Sequence, residues 1–176
     1  MFPRQIETAR LLMRPVTPDD GDAIFHGYAR NREVTRYLIW RPHRTIADTQ
    51  AYLSTCLASS PASERVYAMV GRENGVLMGA LRLRLPAPHR IDAGYVLARP
   101  FWGRGLMTEA LRAASEWALA EPGVFRIGAV CDVGNPASAR VMEKAGLLRE
   151  GLLKRWMVHP NISAEPRDCF IYGLTR

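Results

Sequence analysis

The apolar and polar positions divide the chain into short segments of alternating character. "ARLLMRPV" is a compact apolar run that reads as a first strand. In "TPDDGDAIFHGYA", Thr17 and the Asp19–Asp20 pair supply helix-start chemistry, and Ile24, Phe25 and Tyr28 form an apolar face. "REVTRYL" reads as a short helix, and "TIADTQAYLSTCLASS" as another, with Thr45 as N-cap and Asp48 at the capping-box position. The period then changes. "RVYAMVGR", the turn "ENG" and "VLMGALRLRL" give a hairpin signal, with Asn74-Gly75 supplying the positive-φ turn residues. Leu81, Leu83 and Leu85 alternate with Arg82 and Arg84, the pattern of a half-exposed strand.

After "PAPH", "RIDAGYVLA" is a further strand. Pro-Phe-Trp-Gly-Arg-Gly then leads into a helix in which Met107, Ala110, Leu111, Ala114, Trp117 and Ala118 keep helical spacing, until Glu121-Pro122-Gly123 stops it. "FRIGAVCDV" is another strand. "NPASARVMEKAG" is another helix, with Asn135 capping, Pro136 at the first position and Gly146 past the end. "LLREGLLKRWMV" and "RDCFIYGLT" read as two more strands around a loop near Pro160. The expectation is one mixed α/β (α+β) domain over residues 1–176, its mostly antiparallel sheet of six to seven strands flanked by helices. One strand–helix–strand crossover interrupts the antiparallel order.

Composition narrows the class. At 48% hydrophobic and 23% charged residues, the chain matches soluble globular proteins. No apolar run approaches the roughly 20 residues that span a bilayer, and the N-terminus lacks the succession of a signal peptide. Cys56, Cys131 and Cys169 are odd in number and form no CxxC pair, and the four histidines have no ligand spacing. A cytoplasmic protein without disulfides or metal is expected. The net charge of +7 is almost all arginine, spread along the chain without a basic run. That argues against a nucleic-acid tail and suits an anionic ligand at least as well.

The candidate chemistry lies in "YVLARPFWGRGLMTEAL". A helix N-terminus presents free backbone N–H groups and the positive end of its dipole. Glycines before it let the main chain approach an anion, so strand–Gly-x-Gly–helix is a phosphate-binding arrangement. Gly103 and Gly105 match neither the P-loop, which ends in Gly-Lys-Ser/Thr, nor the dinucleotide fingerprint, which needs a third glycine where Thr108 stands. On local residues alone, a tight turn starting a buried helix explains the same pattern.

The wider order is more specific. "IDAGYVLARPFWGRGLMTEAL" followed by "FRIGAVCDVGNPASARVMEKAGL" resembles the GCN5-related N-acetyltransferase (GNAT) superfamily. "TARLLMRPVTPDD", "NREVTRYLIW" and "RDCFIYGLTR" extend the likeness over nearly the whole chain and point to its RimJ/RimL branch. Asn135-x-x-Ser138 followed by "EKAGL", 32 residues after Gly103, is the most specific part.

The resemblance implies the GNAT fold with splayed central strands, and acetyl-CoA as cosubstrate with no metal. It implies a pyrophosphate loop whose donors are the main-chain N–H groups of Gly103, Arg104, Gly105, Leu106, Met107 and Thr108. Gly105 sits at the family's invariant glycine, Trp102 replaces an Arg or Gln, and Arg104 is free to meet a CoA phosphate. Met107 replaces a small residue, and its thioether is expected to crowd the phosphates. Backbone groups of Val96, Leu97 and Ala98 are expected to pair with the pantetheine arm and polarise the acetyl carbonyl. Asn135 meets the arm where the strands part, besides capping its helix.

Ser138 aligns with the serine proposed as general acid in this branch, or is a polar residue of its helix. Asp92 is a candidate base, or an exposed carboxylate at a strand start. Asp168 is expected to anchor the final strand, Cys131 to be a buried small hydrophobe, and Tyr95 to be no acid. Tyr28, Tyr37, Trp40 and Arg41 line an amine pocket or belong to the core. The implied activity is acetyl transfer to a primary amine, in first place a protein or peptide N-terminal α-amino group, with a homodimer allowed. A small-molecule amine as acceptor and a CoA-binding module without turnover are the alternatives.

Overall fold

The computed structural model describes residues 2–176. In chain order they form β1 (Ile6–Glu7), β2 (Leu11–Pro15), α1 (Gly21–Ile24), α2 (Arg32–Thr35), α3 (Ile46–Ala58), β3 (Glu64–Gly71) and β4 (Leu77–Ala87). β5 (Arg90–Leu97), α4 (Leu106–Ala120), β6 (Arg126–Asp132), α5 (Pro136–Lys144), β7 (Leu148–Val158) and β8 (Pro166–Thr175) complete the order. The strands make one sheet, β1-β2-β3-β4-β5-β6-β8-β7. All neighbours are antiparallel except β5 and β6, which α4 joins as the crossover. The strand beyond the expected six to seven is β1, whose two residues are too few to carry a periodic signal.

Alternation along the inner strands explains the layers. Leu11, Met13, Tyr67, Met69, Leu81 and Leu83 point to one face and pack against Leu106, Met107, Ala110, Ala114 and Ala118 of α4. Val66, Ala68, Val70 and Ala80 point to the other and pack against Ile24, Tyr28 and Leu53 of the N-terminal helical region. Both faces of β3 are covered, which is why its sequence is apolar almost throughout. Leu81 and Leu83 are fully buried, worth about 2 kcal/mol each by area removed from water. α5 packs on a third cluster with Leu111, Cys131, Met142 and Tyr172.

The helix expected from Thr17 is broken into a 3-10 turn (Pro18–Asp20), α1 and a π-helical turn (Phe25–Ala29). The buried Asp20 carboxylate takes two Arg14 hydrogen bonds and the Thr17 N–H, which fixes the start. α3 begins at its expected capping box, Asp48 N–H donating to Thr45 Oγ1 and Thr45 N–H to Asp48 Oδ2.

The feature that positions a site is where β5 and β6 stop pairing. Their parallel register is Arg90↔Arg126, Ile91↔Ile127 and Asp92↔Gly128. β5 then continues to Leu97 with only β4 beside it, down to Leu97↔Gly79. β6 continues to Asp132 with only β8 beside it, down to Asp132↔Cys169. The sheet therefore parts between them, as the resemblance implied.

Candidate active site

The parted edge of β5 carries free backbone groups, and the ladder decides which. Ala98 N–H donates to the Met78 carbonyl at 2.8 Å, so that residue's donor is turned towards β4. The Val96 carbonyl also faces β4, where a Cβ on Gly79 would collide with it. In an antiparallel ladder adjacent residues direct their polar groups to opposite edges. Leu97, at the non-bonded pair with Gly79, thus directs its N–H and carbonyl into the slot, and Tyr95 does the same. The Leu97 carbonyl accepts the Trp102 indole N–H at 2.6 Å, which ties the strand end to the following loop. The Leu97 N–H is left facing the opening.

The loop follows directly. Gly103 and Gly105 have φ of +75° and +74°, conformations that side chains with a Cβ rarely adopt. Neither faces a tight contact: a Cβ on Gly103 would meet nothing within 4 Å. The glycines are therefore needed for backbone conformation rather than for space. Among the described residues, no turn, loop or cap bond engages the N–H groups from Gly103 to Thr108, and the first turn of α4 leaves its own unpaired. The Arg104 guanidinium lies 5.8 Å over the Phe101 ring, and among the described residues it pairs with no acid. Met107 is buried in the core beneath α4. Its thioether belongs to that core and not to the exposed face of the loop.

A brace holds the loop from behind. Arg10, just before β2, donates through Nε to Glu109 Oε2 at 2.7 Å and through a terminal nitrogen to the Arg104 carbonyl at 3.0 Å. Thr8 Oγ1 and Arg10 N–H donate to the other oxygen of Glu109. Burial alone would raise the Glu109 carboxyl, but these donors outweigh it and hold it below its ordinary range. The carboxylate stays charged and keeps Arg10 in place.

On the other side of the slot, Asn135 Oδ1 caps α5 by accepting the Ser138 N–H at 3.2 Å. Ser138 is half-buried. Its Oγ lies 2.8 Å from the Tyr95 hydroxyl, and Cys131 on β6 is near. Burial first, then the nearby Cys169, Asp132 and Glu143, push the Cys131 thiol up to about 12. It stays protonated and is no nucleophile near neutral pH.

The end of β6 is pinned. Asp132 is buried and takes Arg167 hydrogen bonds at 2.6 and 3.0 Å. Burial acts to raise its carboxyl, but Arg167, the Gly134 N–H and His159 together hold it below the usual range. Over this end, Tyr37 donates to the Gly134 carbonyl, and Asn161 donates to the carbonyls of Thr35 and Trp40. The segment around Tyr37, the turn before Asn135 and the β7–β8 loop thus meet at the mouth of the slot.

Residues 10–148 match the acetyltransferase (GNAT) domain family. This chain belongs to that family. Among relatives, the uncharacterized N-acetyltransferase YoaA of Bacillus subtilis (strain 168) is 28% identical over 179 residues, covering 100% of this chain and 98% of that protein. The solved structure of RimL, a ribosomal L7/L12 alpha-N-protein acetyltransferase in complex with coenzyme A, has a TM-score of 0.84 at 20% identity over 97% of each chain. Spermidine N-acetyltransferase from Vibrio cholerae, solved with CoA and spermine, has a TM-score of 0.78 at 16% identity over 96% of each chain. At such identities these two show a shared fold. The protein is an acetyl-CoA-dependent acetyltransferase, and its residues suit that cosubstrate: a cradle of unpaired N–H groups leads to a parted edge with a free N–H. Among the described residues no cluster of His, Cys, Asp or Glu is placed to hold a metal, and no helix is long and apolar enough to cross a membrane.

For this acetyltransferase several expectations change. Asp92 lies where the strands are still paired, bound to Arg84 at 3.0 Å and Arg90 at 3.5 Å. Five residues of strand, roughly 16 Å, separate it from Leu97. That is too far for it to take a proton directly from an amine at the Leu97 N–H. Of Val96, Leu97 and Ala98, the ladder leaves only Leu97 facing the slot. His159 is buried at the start of the β7–β8 turn, with Nε2 3.7 Å from Asp132. Asp168 accepts from Lys154 Nζ and from the N–H of Arg155, whose φ of +44° marks a bulge in β7. From the final strand, β8, it thus holds the bulge of β7. Tyr28 and Trp40 pack with the N-terminal core. No local pattern in the sequence marks Arg10, Glu109, Asp132 and Arg167. Their signal was present only as acids and arginines whose partners lie tens of residues away.

Proposed function

We propose that this acetyltransferase acts on the α-amino group of a protein or peptide N-terminus, by direct attack of the amine on the acetyl carbon. The observation that carries the reading is the opening beyond Asp92 and Gly128, with the Leu97 N–H on one side and Ser138 on the other. In this reading the N–H groups from Gly103 to Thr108 receive the pyrophosphate. The Asn135 amide meets the arm, the Leu97 N–H donates to the acetyl oxygen, and the Ser138 hydroxyl donates to the departing sulfur. Acetyl-CoA supplies the activated acyl group.

The choice of acceptor follows from what the site lacks. The acids on the two strands that form the slot, Asp92 and Asp132, are both committed to arginines. Without a strong base, the acceptor must arrive partly deprotonated. An α-amino group of pKa about 7.8 is roughly one-third neutral at pH 7.5, whereas an amine of pKa about 10.4 is neutral in roughly one part in a thousand. The segment 30–44 that reaches the mouth through Tyr37 contains five arginines and one acid, Glu33. A polycationic acceptor meets repulsion there.

The test is thiol release from acetyl-CoA against a panel of N-terminal peptides and small amines, with CoA binding followed by calorimetry. Turnover confined to peptides supports the reading. Turnover with polyamines or other small amines alone replaces its acceptor, and binding without release across the panel replaces the enzyme with a CoA-binding module.

A further inference from the structure

We infer that Tyr95 is a positioning residue that aims the Ser138 hydroxyl into the slot. The inference rests on the role given to Ser138 above. Tyr95 stands in the unpaired half of β5, two residues before Leu97 and therefore on the same face of the strand. From there it crosses to α5. Its hydroxyl lies 2.8 Å from Ser138 Oγ and 3.2 Å from the Ser138 carbonyl oxygen. A residue of one wall thus holds a residue of the other at the point where the sheet parts.

One phenolic proton has two acceptors to choose from, and the choice decides what Ser138 can do. The Ser138 carbonyl lies inside α5, where the N–H four residues on, at Met142, already uses it. Its oxygen is also the more distant. The Tyr95 proton therefore belongs on Ser138 Oγ, which leaves the serine proton free to be donated elsewhere. The reverse arrangement would spend that proton on Tyr95. Without Tyr95, the serine hydroxyl is free to rotate among its staggered rotamers, because the first turn of α5 puts no helical carbonyl four residues before it. Tyr95 removes that freedom.

The neighbours make the pair a donor chain rather than an acid. Burial first raises Tyr95 far above its ordinary range, and the hydrogen bond with Ser138 only partly opposes this. Tyr95 remains a neutral phenol. The protonated Cys131 thiol on β6 is also close enough to Ser138 for the two side chains to interact. In the transfer a C–N bond forms and the C–S bond breaks with its electron pair passing to sulfur. One amine proton leaves to water. Ser138 keeps its own proton and donates a hydrogen bond to that sulfur. A thiolate, whose conjugate acid has a pKa of about 8.5, is too weak a base to strip an alcohol or a phenol of pKa about 10.

The test is a double-mutant cycle of Tyr95→Phe, Ser138→Ala and the pair. It is read as kcat and KM for acetyl-CoA, and separately as the calorimetric affinity for CoA against desulfo-CoA at pH 9. At that pH a free thiol of pKa about 8.5 is mostly ionised, so the ratio of the two affinities reports the hydrogen bond to sulfur without turnover. Each single variant is expected to lower kcat about tenfold with KM within about twofold, and to reduce the preference for CoA by a similar factor. The pair should fall no further than Ser138→Ala alone. An equal further drop from Tyr95→Phe in the Ser138→Ala background would make Tyr95 a packing residue and overturn the inference. So would Tyr95→Phe with wild-type kcat and thiol preference, although Ser138 would then stand. If Ser138→Ala changes nothing, both the inference and the role of Ser138 fall. The affinity ratio compares two ligands on the same protein, so a loss of stability in a variant does not obscure it.

Discussion

The first three residues of β5 and the last five serve different purposes in one strand. From Arg90 to Asp92 both edges are laddered, and the Asp92 carboxylate is tied to Arg84 and Arg90. From Ala93 to Leu97 only the β4 edge is laddered, and the other presents the Leu97 N–H and the Tyr95 side chain to the slot. An unpaired N–H is costly unless water or a ligand satisfies it. The open half can therefore receive an extended ligand as a missing strand would be received. What opens it lies on the flanks. Gly79 lets β4 approach Val96 closely, and Arg167 draws the end of β6 towards β8 through Asp132.

The largest expected effect breaks the open half at its far end. Gly105→Asp places a carboxylate where the pyrophosphate is to lie. Aspartate tolerates a φ of +74° better than most residues, so charge is the main consequence. At short range and an effective dielectric near that of a protein surface, repulsion of about 3 kcal/mol lowers acetyl-CoA affinity by at least about 100-fold. Calorimetry reads this, with circular dichroism to check the fold. Affinity retained in the variant would remove the loop from the site.

Next in size is the pin on β6. Asp132→Asn leaves Arg167 without its anion, at a cost of roughly 2 kcal/mol because Arg167 is partly solvated, or about 4–8 °C in Tm. The sign with pH follows from the lowered carboxyl of Asp132. Its contribution is fully present above the unfolded carboxyl value of about 3.9 and is lost as pH falls through the lower folded value. The gap in Tm between wild type and Asp132→Asn should therefore be constant from pH 7 to about 5 and close towards pH 2. A gap that widens on acidification would show that Asp132 does not hold the wall as an anion.

A smaller effect separates binding from chemistry in the open half. Arg10→Ala frees the Arg104 carbonyl and Glu109 while touching nothing in the slot. Hydrogen bonds at this partly exposed brace are worth about 1 kcal/mol together. KM for acetyl-CoA should rise roughly fivefold with kcat within about twofold. A fall in kcat at unchanged KM would place Arg10 with the chemistry instead.

These contrasts mirror what was legible in the sequence. The glycine loop, the Asn135 cap and the Thr45–Asp48 box are local, and each is where the pattern placed it. Which of Val96, Leu97 and Ala98 faces the slot is a matter of register with β4, and no residue of β5 encodes it. Met107 carried two conflicting expectations, one from helical spacing and one from its place in the loop. Packing resolved it in favour of the core, since the first turn of α4 can offer its N–H groups outward while its side chains point in. Tyr95 and Ser138 are 43 residues apart, and Arg10 and Glu109 are 99 apart. Partners at such separations leave no periodic trace.

The smallest expected effect bears most directly on the comparison between the two halves. Asp92→Asn removes a partly exposed carboxylate from two arginines, an interaction worth at most about 1 kcal/mol. Tm should drop by about 2–4 °C. If the paired half of β5 is scaffold, kcat should stay within about twofold and its pH profile should keep its shape. A 100-fold loss with the acid limb of the profile removed would make Asp92 the base, working through a chain of waters along the strand. The boundary between scaffold and site would then lie before Arg90, and the argument for an acceptor that arrives already deprotonated would lose its ground. A single conservative change at the last paired residue thus decides whether the parting of the strands is also the limit of the chemistry.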